Sequence, residues 1–363
     1  MAHRLGNVFR CTTLIALIIY TVPTNARADL ASDLARCRSV PPGDERYDCY
    51  EKLGKRDVSA VHTEAKGATG ATAENQTSTQ SRWNTKGEFL RPHKPTYLVL
   101  RQSSSPNNNP FRESNEFASS APGSLELDHN ELKFQLSGKA ALLDPKPWLG
   151  GASFWVGYTQ QSYWQVWNAS ISRPFRESDY EPEAMLVWNP NIEFSGWKLN
   201  HVVGGFVHQS NGRGDPLSRS WNRLYAQLEL THERSGLEVI ARPWLRLPEE
   251  REKDNNIDIQ RYLGYADFLF NYRVRGVDTS LLVRNNLQAR HNRSAFQLDL
   301  AFRCFKVGRF VPKLQVFIGP GESLIDYNHR QKSIGIGLEA TGWWDHSFTQ
   351  QADKCAPLPA KGN

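Results

Sequence analysis

From about residue 94 the chain is a succession of short segments in which apolar and polar residues alternate, separated by turn residues. In L-K-F-Q-L-S, Leu132, Phe134 and Leu136 alternate with Lys133, Gln135 and Ser137, the period expected of a strand with two unlike faces. In L-L-V-R-N-N-L-Q-A-R the alternation is weaker. The pattern predicts about twelve strands, near 94–103, 127–140, 152–168, 184–195, 198–210, 220–232, 236–246, 260–274, 277–290, 293–306, 311–319 and 332–344. An even count, lengths that suit a tilted membrane strand and the lack of helix-period segments between them predict an all-β chain, a transmembrane antiparallel β-barrel. A soluble β-sandwich is the competing architecture, but its core would need continuous aliphatic strands, and none is present.

Composition sharpens this. Only 39% of residues are hydrophobic while 11% are aromatic, with 11 Trp and 2 Met, which suits a polar lumen with aromatic girdles. The net charge of +6 is spread along the chain with no basic block carrying interleaved aromatics, which argues against nucleic acid as a partner.

The N-terminus carries His3, Arg4 and Arg10, an apolar run over 11–23, and small residues at Ala26 and Ala28. This predicts a secretory signal peptide, residues 1–28; an uncleaved anchor helix would need a longer run. Export places the four cysteines that remain in an oxidising compartment. Cys37 and Cys49 could close a short loop in a small periplasmic segment, 29–56, and no His or Cys at ligand spacing favours a metal there. The pairing of Cys304, on a predicted strand, and of Cys355 stays open. Residues 57–92, rich in Ala, Thr, Gly and Gln, read as a flexible linker to a barrel domain at 93–344, followed by a tail, 345–363.

Chemistry enters through F-V-H-Q-S-N-G-R-G-D-P-L-S-R-S-W-N-R-L-Y, residues 206–225. Alternation puts Val202, Gly204, Phe206, His208 and Ser210 on one face, and Asn222, Leu224, Ala226, Leu228 and Leu230 on one face of the next strand. In a membrane barrel these apolar faces look at lipid, so His208, Ser210 and Asn222 meet on the outer wall at the edge of the hydrophobic band. Polar groups there are costly unless they satisfy one another. Two residues apart on a strand is about 6–7 Å along the backbone, within reach of a His–Ser hydrogen bond. A serine needs such a base, and the imidazole needs an acceptor to fix its tautomer.

The same stretch resembles the signature of the outer-membrane phospholipase A family: His-x-Ser-Asn-Gly, Asp-Pro, then Ser-Arg-Ser-Trp-Asn-Arg. G-Y-T-Q-Q-S-Y-W-Q at 157–165, S-R-P-F-R-E-S-D-Y-E-P at 172–182 and G-E-S-L-I-D-Y-N at 321–328 agree, so the resemblance spans roughly 94–344. It implies a twelve-stranded barrel that hydrolyses acyl esters of phospholipids and lysophospholipids (phospholipase A1 and A2 activities), depends on Ca2+ and works as a homodimer. Carried to matching positions, it implies Ser210 as nucleophile, His208 as general base, Asn222 as its orienting partner and the Gly212 N–H as an oxyanion donor. Calcium beside the site would take the Ser218 hydroxyl and Arg213 carbonyl of one subunit and the Ser172 carbonyl of the other. A second calcium site would map to Asp215 and Asp254, with Asp258 competing for the latter place.

Gln160 shares a face with Phe154, Val156, Tyr158, Ser162, Trp164 and Val166, which points an amide into lipid unless it pairs with its own copy across a two-fold axis. A small register shift, turning it to the lumen, is the alternative. The chain departs from the family in continuing 19 residues past Trp344, the expected terminal aromatic, and in its long N-terminal segment. The competing functional class is a non-enzymatic outer-membrane barrel, a porin or adhesin; a soluble secreted esterase is a third.

Overall fold

The computed structural model describes residues 39, 83–85, 89–110, 125–250 and 254–340. The chain divides into two units, Met1–Gly70 and Ala71–Asn363, and only Ser39 of the first is described. The signal peptide, Cys37, Cys49, Trp344 and the tail therefore lie outside the described residues.

Twelve strands close into an antiparallel ring: β2 (Tyr97–Ser103), β3 (Asn130–Leu143), β4 (Ser153–Trp164), β5 (Phe175–Trp188), β7 (Trp197–Ser210), β8 (Ser220–His232), β9 (Glu238–Leu247), β10 (Ala266–Val274), β11 (Val277–Asn285), β12 (Ser294–Phe302), β13 (Phe310–Pro320) and β14 (Arg330–Ala340). β14 pairs with β2 and β3 pairs with both β2 and β4, so no barrel edge is left open. Two short strands are appended. β1 (Leu90–Pro92) pairs with β3 beyond the end of β2, and β6 (Ile192–Phe194) pairs with β7. Pro92 and Pro95, which lack an N–H, break what would otherwise be one strand through β1 and β2.

Side-chain alternation follows the sequence. On β2, Val99 and Arg101 are buried while Leu98 and Leu100 are exposed outward. On β8, Arg223, Tyr225, Gln227 and Glu229 are buried inside, and Leu224 and Leu228 are exposed. An apolar exterior on a polar interior is the membrane-barrel arrangement. Several predicted segments differ from the observed ones; those predicted at 152–168 and 277–290, for instance, end at Trp164 and Asn285. The strand predicted at 184–195 begins at Phe175, because charged Arg176, Glu177 and Asp179 mask a segment whose charges face the lumen. The strand predicted at 260–274 begins at Ala266, its first residues forming a one-turn helix, α1 (Ile259–Leu263). β12 ends at Phe302, so Cys304 lies in a short 3-10 turn, Arg303–Phe305, where it is disulfide-bonded.

The lumen is filled. Arg101 bridges Glu131 and Glu322 at 2.6 Å each, Arg176 bridges Glu131 at 3.0 Å and Asp326 at 2.8 Å, and Lys133 reaches Glu322 at 3.1 Å. Buried charges of this kind persist only when paired. Glu322 and Asp326 come from the segment 321–329, which folds into the barrel rather than over it. Its backbone is held there by Leu324 N–H to Asp179 Oδ2 (2.9 Å) and Ile325 N–H to Glu177 Oε1 (3.1 Å). Near the opposite end Trp83, from the segment read as a linker, is buried in the lumen. Its indole donates to Glu229 at 3.1 Å, packs edge-on against Trp155 and lies 3.2 Å from Lys139 Nζ. A porin needs a water-filled passage, and this lumen is occupied from both ends.

Candidate active site

Connections at one end of the barrel are short, as at 189–196, 233–237 and 275–276, and those at the other are longer, including 104–129, 165–174, 211–219, 248–265 and 321–329. Long loops mark the extracellular end of outer-membrane barrels. β7 climbs to that end and finishes at Ser210, β8 descends from it, and the register sets His208 opposite Asn222 and Ser210 opposite Ser220. All three predicted residues lie on the outer wall.

His208 Nδ1 is 2.8 Å from Asn222 Oδ1. An amide oxygen only accepts, so Nδ1 carries the proton and Nε2 is left as a basic lone pair. The Asn222 amide nitrogen in turn donates to Glu249 Oε1 at 3.3 Å. The motif itself does not point to Glu249. The available signal is β9, whose Leu247 pairs with Asn222, so that P-E-E following β9 ends up beside the motif. Burial, then the negative charge of Asp254, raises the Glu249 carboxyl above its usual value. Ser210 lies on the same face as His208, two residues along; among the described residues its hydroxyl makes no hydrogen bond. Hydrogen bonds of this kind often close only around substrate.

The turn after Ser210 is built on Asn211, which is 3% exposed. Its side chain accepts from Arg219 N–H (2.9 Å) and donates to Leu217 O (2.8 Å) and to Glu177 Oε1 (3.0 Å). Glu177 also receives Ile325 N–H, so one buried carboxylate ties the turn to the inserted segment. Gly212 sits at φ 62°, and a Cβ there would lie 3.2 Å from Tyr180 Cε2; both conditions call for glycine.

The predicted calcium donors are placed as follows. Arg213 reaches from the turn to the Phe175 and Arg176 carbonyls (2.9 and 2.6 Å), drawing it toward the neighbouring turn that holds Ser172. Ser172 is exposed with φ 62°. The Ser218 carbonyl accepts from Arg219 Nη1 at 2.7 Å, while the Ser218 hydroxyl and Arg213 carbonyl make no hydrogen bond among the described residues. Asp215 is exposed beside the cis Asp215–Pro216 bond. Asp254 is engaged by Arg246 (2.7 Å) and Asn256 N–H (3.1 Å), and Asp258 by the Tyr327 hydroxyl (2.7 Å). No group of three or more His, Cys, Asp or Glu side chains converges on a metal site among the described residues.

Gln160 faces outward: its neighbours Gln161 and Tyr163 turn inward to Tyr97 and to the Glu322 carbonyl. It accepts from the Tyr158 hydroxyl (3.3 Å) and donates to Ser162 Oγ (3.1 Å), forming a polar stripe on a lipid-facing wall.

The family described as Phospholipase A1 matches residues 71–340. Among curated proteins, Phospholipase A1 of Escherichia coli (strain K12) is 36% identical over 253 residues, 69% of this chain and 80% of that one. Phospholipase A1 of Klebsiella pneumoniae is 36% identical over 254 residues, 69% of this chain and 82% of that one. Among solved structures, outer membrane phospholipase A from Escherichia coli aligns with TM-score 0.61 at 32% identity, covering 71% of this chain and 95% of that one. A Salmonella typhi outer membrane phospholipase dimer with bound calcium aligns with TM-score 0.62 at 31% identity, covering 72% and 96%. With the match running the length of the twelve-stranded ring, the chain is an outer-membrane β-barrel and belongs to the phospholipase A1 family.

Proposed function

We propose that the protein hydrolyses acyl esters of membrane phospholipids and lysophospholipids on its outer wall, with a Ser210–His208–Asn222 triad and calcium, as a homodimer. The observation that carries this is the 2.8 Å contact from His208 Nδ1 to Asn222 Oδ1 on a lipid-facing surface, which leaves Nε2 free to act as base, with Ser210 two residues along on the same strand face.

The steps follow from the residues. His208 Nε2 takes the Ser210 proton as Oγ attacks the ester carbonyl carbon, and negative charge moves to the carbonyl oxygen. The Gly212 N–H donates to that oxygen. The tetrahedral adduct collapses, the ester C–O bond breaks, and the imidazolium returns its proton to the departing lysolipid alkoxide. Water, deprotonated by the same nitrogen, then releases the fatty acid and restores Ser210.

The residues present suit calcium, which takes carbonyl, hydroxyl, carboxylate and water oxygens. The Arg213 carbonyl and Ser218 hydroxyl, both unengaged among the described residues, would hold it together with the partner subunit's Ser172 carbonyl. Bound there, calcium supplies positive charge beside the developing oxyanion. Asp215 is an available carboxylate for a second ion; Asp254 would first have to leave Arg246. Gln160 would pair with its copy across the dimer axis, which lowers the cost of an amide in lipid.

The test is hydrolysis of phospholipids labelled separately at sn-1 and sn-2 by purified protein in dimer-promoting detergent, with calcium or chelator. Wild type should release fatty acid only with calcium, and Ser210→Ala should be inert. Equal activity in the two proteins, or equal inertness, would sink the reading.

A further inference from the structure

We propose that Glu249 is a positioning residue that locks the Asn222 carboxamide in the one orientation that makes His208 a base. The proposal rests on the triad reading above.

A carboxamide is nearly symmetric. Turning that of Asn222 over exchanges its oxygen and nitrogen with almost no change of shape. In the observed orientation Oδ1 faces His208 Nδ1 at 2.8 Å, so the imidazole proton sits on Nδ1. In the reversed one an NH2 group would face Nδ1, which would then have to accept. The proton would move to Nε2, and the lone pair that must receive the Ser210 proton would be gone. An asparagine, unlike an aspartate, therefore needs something at its far side to select the productive orientation.

Glu249 is placed to do so. A carboxylate only accepts, and its Oε1 lies 3.3 Å from Asn222 Nδ2. Reversal would set the amide oxygen against it, oxygen to oxygen. The placement is built into the sheet. Leu247 pairs with Asn222, and Glu249 follows two residues later on the same outer face as β9 leaves the ring. Its negative charge also lies beyond Asn222 from the imidazolium that forms during turnover. Arg246 and Asp254, the other charged groups nearby, are paired with each other at 2.7 Å.

The experiment uses the full chain in detergent at saturating calcium, with the folded barrel verified by heat-dependent electrophoretic mobility. Glu249→Gln and Glu249→Ala should lower kcat about three- to tenfold with KM unchanged, the order expected for one lost hydrogen bond. The sharper readout is a cycle with Asn222→Asp. The carboxylate introduced by that substitution would face the Glu249 carboxylate as a like charge, so Glu249→Gln should raise the activity of the Asn222→Asp protein although it lowers that of wild type. A purely structural role for Glu249 would lower both. Wild-type kcat in both Glu249 variants, or the same fall in both backgrounds, overturns the proposal. So does a shift confined to calcium half-saturation. Ser210→Ala separates the two claims: if it is inert while the Glu249 variants match wild type, only the role of Glu249 fails, and if it is active both fail.

Discussion

Asn211→Ala offers a direct test of how the turn beside Ser210 is held. The side chain is 3% exposed and makes three hydrogen bonds of 3.0 Å or less, to Arg219 N–H, Leu217 O and the Glu177 carboxylate. Two are neutral, worth about 1 kcal/mol each, and the one to a carboxylate is worth about 2 kcal/mol. Water entering from the loop end would replace part of this, leaving a loss of about 2–3 kcal/mol. The barrel's strand pairing is untouched, so the loss falls on the order of the segment that carries the Gly212 N–H and the Arg213 carbonyl. At about 1.4 kcal/mol per tenfold, kcat should drop about 30- to 140-fold. The assay is steady-state phospholipid hydrolysis at saturating calcium, with barrel folding checked by electrophoretic mobility. Asn211→Asp makes the test stricter. It keeps an acceptor for Arg219 but turns an oxygen toward Glu177, and should be at least as damaging as alanine. Activity of Asn211→Ala within about threefold of wild type, or a near-normal Asn211→Asp, would refute the reasoning.

Gly212→Ala should cost at least about tenfold in kcat, since φ 62° strains an L-residue and the new methyl meets Tyr180 at 3.2 Å; hydrolysis rates with substrate saturation check it. Gln160→Leu should leave the fold intact and weaken calcium-promoted dimerisation, read by sedimentation in density-matched detergent; unchanged association would remove Gln160 from the interface. Burial alone would raise the Glu322 carboxyl, but Arg101 and Lys133 hold it well below the usual carboxylate range. A depressed folded value means that the stability Glu322 contributes is present above the ordinary carboxylate pKa and is lost as pH falls below it. Unfolding midpoints should therefore decline on acidification from about pH 5, and Glu322→Gln should flatten that decline while lowering the neutral-pH value.

The readable and unreadable parts divide along contact distance. His208 and Asn222 can be placed on one wall from the sequence because strand alternation is local and a fourteen-residue separation through a turn leaves little freedom of register. The strand beginning at Phe175 is hidden because its inward charges look like a loop until the opposite wall supplies their partners. Glu249 escapes a sequence reading for a related reason. It joins Asn222 from 27 residues away, and only the β8–β9 register brings P-E-E to the motif.

Alternation, turn residues and a long polar motif by themselves pointed to a barrel of about twelve strands with its candidate chemistry facing lipid, since each is a property of a few consecutive residues. Ring closure decided the rest. The insertion of 321–329 into the lumen, the hold of Glu177 on Asn211 and the burial of Trp83 against Glu229, 146 residues away, arise only when distant strands share one interior. There the cost of burying unpaired charge dictates which groups must meet.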